Sequence, residues 1–303
     1  MREVFYFTKR NCLIYFRDKT AVFFSMLSTL IVLGLMVIFL GKMNSDSLVG
    51  VLADFGERDT AADEENAAYL IQLWTMAGIL VVNSVTVTLT VLGAMVRDET
   101  RKRIMAFYVT PVKRIRLSLG YILSAWIVGV IMCVLTLAIG EIYFCLQGHT
   151  FLSFSSLLQL VGMIALNAFT FSSLGYLLAI FIHSDSAWSG MLTIIGTLVG
   201  FVGGIYLSVG SLSDTLQKIL KCLPVLHGAA MMRQICTEDA VTETFAGLPD
   251  MVTDIFREEM GISLFWDGKE ITMIMQVAVL FGYAIIAIGL AAFFDRKRKL
   301  KDR

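Results

Sequence analysis

The chain has 303 residues, of which 57% are hydrophobic and three are proline, and its 25 basic residues are balanced by 25 acidic ones. That composition is too apolar for an ordinary soluble domain. Five cysteines without CxxC spacing and three scattered histidines exclude the common metal-site and HExxH patterns.

The first twenty residues mix Arg2, Lys9, Arg10, Arg17 and Lys19 with Val4, Phe5, Phe7, Leu13, Ile14 and Phe16. The mixture reads either as an interfacial helix, aromatics in the acyl boundary and cations at lipid phosphates, or as a plain positive-inside anchor. It is not expected to be a cleaved signal peptide, because the apolar run behind it is too long for an h-region. Six uncharged runs follow that are long enough to span a bilayer: 21–40, 74–96, 117–140, 152–182, 187–209 and 271–294. They lack the alternation of barrel strands, so the expected class is all-α, a polytopic membrane protein with six transmembrane helices.

Between the first two runs, 46–67 reads as an acidic loop with mobile parts. The second run places Asn83, Thr86 and Thr90 on one helical face, and the fourth adds Asn167, Thr170, Ser172 and Ser173. These groups suit helix packing or the lining of a substrate path, with Asn83, Thr86, Thr90 and Asn167 the candidates for the path. Glu141, at the end of the third run, is expected at a water-accessible outer rim, and 147–150 as a short loop. The fifth run carries Gly196, Gly200 and Gly204, two GxxxG steps that allow close helix packing or form a dimer seam. The segment 211–270 contains amphipathic stretches at 216–223 and 256–265, expected as outer surface helices. Cys222 and Cys236 both fall there, which leaves a disulfide open.

Charge sets the orientation. Segments 1–20, 97–116, 183–186 and 295–303 hold 18 of the 25 basic residues and 7 of the 25 acidic ones, so both termini are expected in the cytoplasm. Segment 97–116, RDETRKRIMAFYVTPVKRIR, carries seven of those cations. The positive-inside rule accounts for the charge but not for Ile104, Phe107 and Tyr108. No Walker A motif, catalytic Ser-His-Asp signature or catalytic residue is visible, so any ATP must be bound by another chain. The interior runs also lack the charged relays of proton-coupled pumps.

The local sequences Arg97-Asp98-Glu99, Phe107-Tyr108-Val109-Thr110-Pro111-Val112-Lys113-Arg114, Ile195-Gly196-Thr197-Leu198-Val199-Gly200-Phe201, Gly204-Ile205-Tyr206, and Leu223-Pro224 followed by Arg233 resemble permease subunits of bacterial ABC-2 type exporters, the multidrug and daunorubicin-resistance branch above all. Lys102 and Arg103 stand where that family reads Gly-Thr, and Leu207-Ser208 where it often has a proline. The resemblance implies one transmembrane domain over 1–303, in the bacterial plasma membrane, with an N-terminal interfacial helix and a coupling helix within 97–116. It implies a second permease as homodimer or heterodimer partner and a cytoplasmic ABC ATPase that holds ATP and Mg; no cofactor, metal or nucleic acid is expected on this chain. Glu99, Arg101, Arg103, Ile104, Phe107, Tyr108 and Pro111 are the expected ATPase contacts. The expected function is export of an amphipathic drug, peptide or lipid-like compound. Polysaccharide or sodium export, marked in the former case by aromatic stripes along helices one and five, and a non-transporting scaffold are the alternatives.

Overall fold

In the computed structural model, which describes residues 2–35, 41–53, 55, 59–103, 114–203 and 208–297, a bend at Asp18 separates α1 (Arg2–Arg17) from α2 (Lys19–Leu35). The Asp18 carboxylate accepts from the Ala21 amide at 3.0 Å and so caps the second helix as the first one ends. Next come α3 (Gly41–Ala53) and α4 (Thr60–Thr100), the latter capped by the Asp59 side chain on Ala61 N and Ala62 N. Helices α5 (Arg114–Leu146), α6 (Phe154–Ala179) and α7 (Asp185–Val202) follow, the last two capped by Ser153 and Ser184. A 3₁₀ turn at Val209–Ser211 leads to α8 (Asp214–Lys221), α9 (Pro224–Thr244) and α10 (Asp250–Glu259). A hairpin of β1 (Phe265–Trp266) and β2 (Lys269–Glu270) precedes α11 (Met273–Lys297). Its Asp267-Gly268 turn has positive φ at both residues, the geometry Asp-Gly favours.

The chain is an all-α polytopic membrane protein. Among the described residues, five helices, α4 to α7 and α11, are long and apolar enough to cross a membrane. The expected first span, 21–40, coincides with α2 as far as Leu35, and the rest of it lies outside the described residues. Helix α4 is the post on which α3, α5, α6, α7 and α9 pack. Its most apolar stretch is 83% buried, against 17% for α7 and 22% for α11.

Three sequence expectations are corrected. The acidic loop 46–67 is largely helical, α3 through Ala53 and α4 from Thr60. Its acids lower hydropathy, but acids beside a helix N-terminus favour the helix electrostatically. At 41 residues α4 is about 60 Å long, roughly twice a hydrocarbon core, so it carries its helix well beyond the lipid. The stretch 256–265 is not a surface helix: α10 ends at Glu259, Gly261 has φ +62, and Ile262 and Leu264 are buried. Helix α8, by contrast, lies on the surface with no buried residue. Finally, Glu141 is buried, its carboxylate accepting from Leu152 N at 3.1 Å and so tying the end of α5 to the start of α6.

Helix α9 was not legible as an element. It is buried on nearly all sides from Pro224 to Thr237 and packs on α4, α6 and α11. Gly228 lies against the Asn167 amide of α6 so closely that a Cβ there has no room. Cys222 is exposed ahead of α9 and Cys236 buried within it, unbonded and separated by fourteen residues, roughly 20 Å of helix.

Candidate functional site

The bundle has a basic end, where α1, the end of α4 and the start of α5 meet, and an acidic end carrying α8, α10 and the hairpin. At the basic end α1 does not simply float in an interface. Phe7, Thr8, Asn11 and Tyr15 form its buried face, while Phe5, Tyr6, Leu13 and Phe16 are exposed. Phe7, expected in the acyl boundary, is thus packed on protein: its ring meets Tyr121 edge to face at 4.9 Å. Gly120 of α5 makes this possible, since any Cβ there would strike the Phe7 ring.

One helical turn along α1, Arg10 reaches the end of α4. Its Nη1 and Nη2 donate to the two carboxylate oxygens of Asp98 at 2.8 and 3.1 Å. The Tyr121 hydroxyl donates to Asp98 Oδ2 at 2.8 Å, so α1, α4 and α5 converge on one carboxylate that is 3% exposed. Burial alone would lower the Arg10 pKa, but its bonds to Asp98 outweigh that and hold it above the ordinary value. A bidentate pair with an additional hydroxyl satisfies the buried charge as such pairs require. Arg116 and Glu3 form a second, exposed link between α5 and α1 at 2.5 Å.

The same first turns of α5 are tied to α11. Ser118 Oγ and the Tyr176 hydroxyl donate to Asp295 Oδ2 at 2.8 and 2.7 Å, and Arg114 Nη1 reaches the Asp295 carbonyl at 3.5 Å. Glu99 faces outward from the Asp98 knot and lies 3.6 Å from His183 Nε2, in the α6–α7 connection. Helix α4 then ends with Lys102 at φ +56, and Arg101, Lys102 and Arg103 are exposed. Ile104, Phe107, Tyr108 and Pro111 lie outside the described residues. Of the expected contact residues, then, Glu99, Arg101 and Arg103 are placed together at the root of 104–113.

The residues singled out for a path are split. Asn83 is buried, donating to Thr136 Oγ1 of α5 at 2.7 Å. Asn167 donates to Met163 O at 3.1 Å, while its side-chain oxygen faces the Gly228 backbone without a hydrogen-bond partner. Thr86 and Thr90 bond back to Val82 O and Thr86 O, and with Val82 they form the half-open stripe of an otherwise buried stretch of α4. Gly196 of α7 lies next to Thr86 and Gly200 is buried, whereas Gly204 falls outside the described residues.

Sequence reasoning missed the Arg10–Asp98–Tyr121 knot, although one signal was available. Phe7, Asn11 and Tyr15 recur at i, i+4 and i+8, which marks a protein-facing stripe inside a helix read only for its charge and aromatic content.

The family model for ABC-2 family transporter proteins matches residues 51–293, so it includes Asp98, Tyr121 and Arg233 but neither α1 nor Asp295. A search of curated proteins finds no match.

Proposed function

The chain belongs to the ABC-2 transporter family, and on that premise we propose that it is the permease of an ATP-driven exporter of amphipathic compounds. As a membrane subunit of an ABC transporter it is a transport component and not itself the catalyst. The basic end is assigned to the cytoplasm, where the charge asymmetry of the sequence favours it. A bacterial plasma membrane, a second permease and an ATPase holding ATP and Mg complete the reading.

The observation that carries the proposal is the shared anchoring of both roots of 104–113. The α4 root is held through Asp98, and the α5 root through Tyr121, Gly120 and Arg116, all by α1. A push on the loop from an ATPase therefore moves α1, α4 and α5 together instead of deforming the loop alone. Ile104, Phe107 and Tyr108 would enter the ATPase while Arg101 and Arg103 meet its acids. Thr86 and Thr90 lie on the half-open stripe of α4, with Thr86 next to Gly196 of α7, and are assigned to the path or the permease–permease seam. A weakly polar, uncharged lining suits a cargo that travels near lipid.

The test replaces Phe107 and Tyr108 with Asp in the chain co-expressed with its ATPase. The doubly substituted permease inserts in the membrane normally but no longer co-purifies with the ATPase or stimulates its ATP turnover. Undiminished co-purification refutes the docking assignment, and absence of any permease-dependent ATP turnover in the unsubstituted complex refutes the transporter reading.

A further inference from the structure

At the acidic end, a cavity of about 510 Å³ opens between α3, α4, α10 and the 3₁₀ turn. Ligand pockets span roughly 300–1,000 Å³ and combine apolar walls with a few polar groups. This one has that character: Val51, Ile71, Trp74, Phe245, Phe256 and Met260 supply wall, and Glu259 is the charged residue among the described lining.

The walls are fixed before any ligand arrives. Trp74 Nε1 donates to Met260 O at 2.8 Å, joining α4 to the end of α10. Behind the ring, the Arg233 guanidinium sits 4.2 Å from the Trp74 centroid and donates to Met260 O at 3.2 Å and Gly203 O at 2.5 Å. Glu259 is held at the rim by Gly210, whose missing Cβ lets the 3₁₀ turn rest on the Glu259 backbone.

Charge then selects the ligand. Helix α10 carries Asp250, Asp254, Glu258 and Glu259 against Arg257, and Arg257 is paired with Glu238 at 3.2 Å. Glu259 makes no ion pair among the described residues. Arg233 already occupies one face of Trp74, so a positive charge in the cavity is drawn toward Glu259 and away from the ring. We propose that this cavity binds a lipophilic cation, with its apolar body on the Trp74–Phe256 wall and its charge beside Glu259. The inference rests on the export reading in one respect: it names the class of cargo and a place where that cargo rests at the acidic end.

The test uses the full chain in nanodiscs without ATPase, with tetraphenylphosphonium and tetraphenylborate as probes of one shape and opposite charge. Uptake by empty nanodiscs is subtracted. The phosphonium binds saturably and about tenfold more tightly than the borate, and Glu259→Gln removes most of that preference. Val252→Trp and Ser211→Trp, which fill the cavity from two sides, each abolish phosphonium binding in protein that retains its gel-filtration profile. Uptake no greater than that of empty discs, equal affinity for the two ions, or full phosphonium affinity in Glu259→Gln overturns the proposal. ATP-driven phosphonium transport by the permease–ATPase complex separates the two readings. Transport undiminished in Glu259→Gln overturns the site and leaves export standing, while saturable binding without transport supports the site and overturns export of this cargo.

Discussion

Two arginines join helices at opposite ends of the bundle, and they are compensated in different ways. Arg10 at the basic end meets a carboxylate squarely, with two donors on Asp98 and Tyr121 on the same group. Arg233 at the acidic end is fully buried with no carboxylate in contact among the described residues. Its partners are carbonyls at the C-terminal ends of α7 and α10, Gly203 O and Met260 O, and the face of Trp74. Helix C-termini carry partial negative charge, so two of them substitute for an acid. The compensation is incomplete: Arg233 Nε has no hydrogen-bond partner, and burial pulls the side chain's pKa down to about 9, still protonated at neutral pH. A closed ion pair holds surfaces in one register. A cation balanced by helix ends depends on where those helices stop, and so senses the position of α7 and α10.

The largest effect is expected where a charge is stranded. Arg10→Ala leaves Asp98 buried without its cation, at a cost of about 3–5 kcal/mol in SDS-titrated unfolding. Adding Asp98→Asn to that variant recovers a substantial part of the loss. An equal loss with and without the second substitution would mean that packing around Phe7, rather than the charge, governs this end.

Arg233→Met strands no charge. It removes the donor to Gly203 O and leaves Met260 O to Trp74 alone, so the expected loss is about 1–3 kcal/mol. A loss as large as that of Arg10→Ala would erase the distinction drawn between the two ends.

The smallest effect is a slope with pH. His227, near the start of α9, bonds the Lys221 carbonyl through Nε2 at 2.8 Å, and burial lowers its pKa from the ordinary value. The folded state therefore holds the neutral ring. Its contribution is intact above the unfolded pKa of about 6.5 and declines as pH falls from there toward the lower folded value. Thermal unfolding of His227→Gln should show a shallower fall in Tm below pH 6.5 than the unsubstituted chain. An unchanged slope assigns the acid sensitivity elsewhere.

Much of the transmembrane scaffold was visible in the residues, because length and apolarity alone decide which helices satisfy their backbones in lipid. The runs 117–140, 152–182, 187–209 and 271–294 each overlap one helix, α5, α6, α7 and α11, with the third run on α7 only as far as Val202. What hydropathy overlooked is helix that does not have to cross lipid. Residues 60–73 contain acids and α9 contains Arg233, so neither reads as a span, yet both are helical, α9 buried nearly throughout and 60–73 along the face of Asp63, Ala67, Leu70 and Ile71. Helix α9 also lacks an apolar stripe, for it is covered on nearly every side and periodicity has nothing to mark. The candidate junction was half legible: the cations of 97–116 are read directly from the residues, but Asp98 reads there as one acid among bases.

By itself the sequence determined the all-helical membrane class, the charge difference between the two ends and the resemblance to ABC-2 permeases, since each is carried by residues close together in the chain. Tertiary structure alone decided that Arg10 finds Asp98, 88 positions away, that Gly120 yields its space to Phe7, and that Arg233 rests between two helix ends and Trp74. Those pairings join residues far apart in the chain, and no local pattern specifies them. They follow from which helices share a neighbour once α4 is buried at the centre.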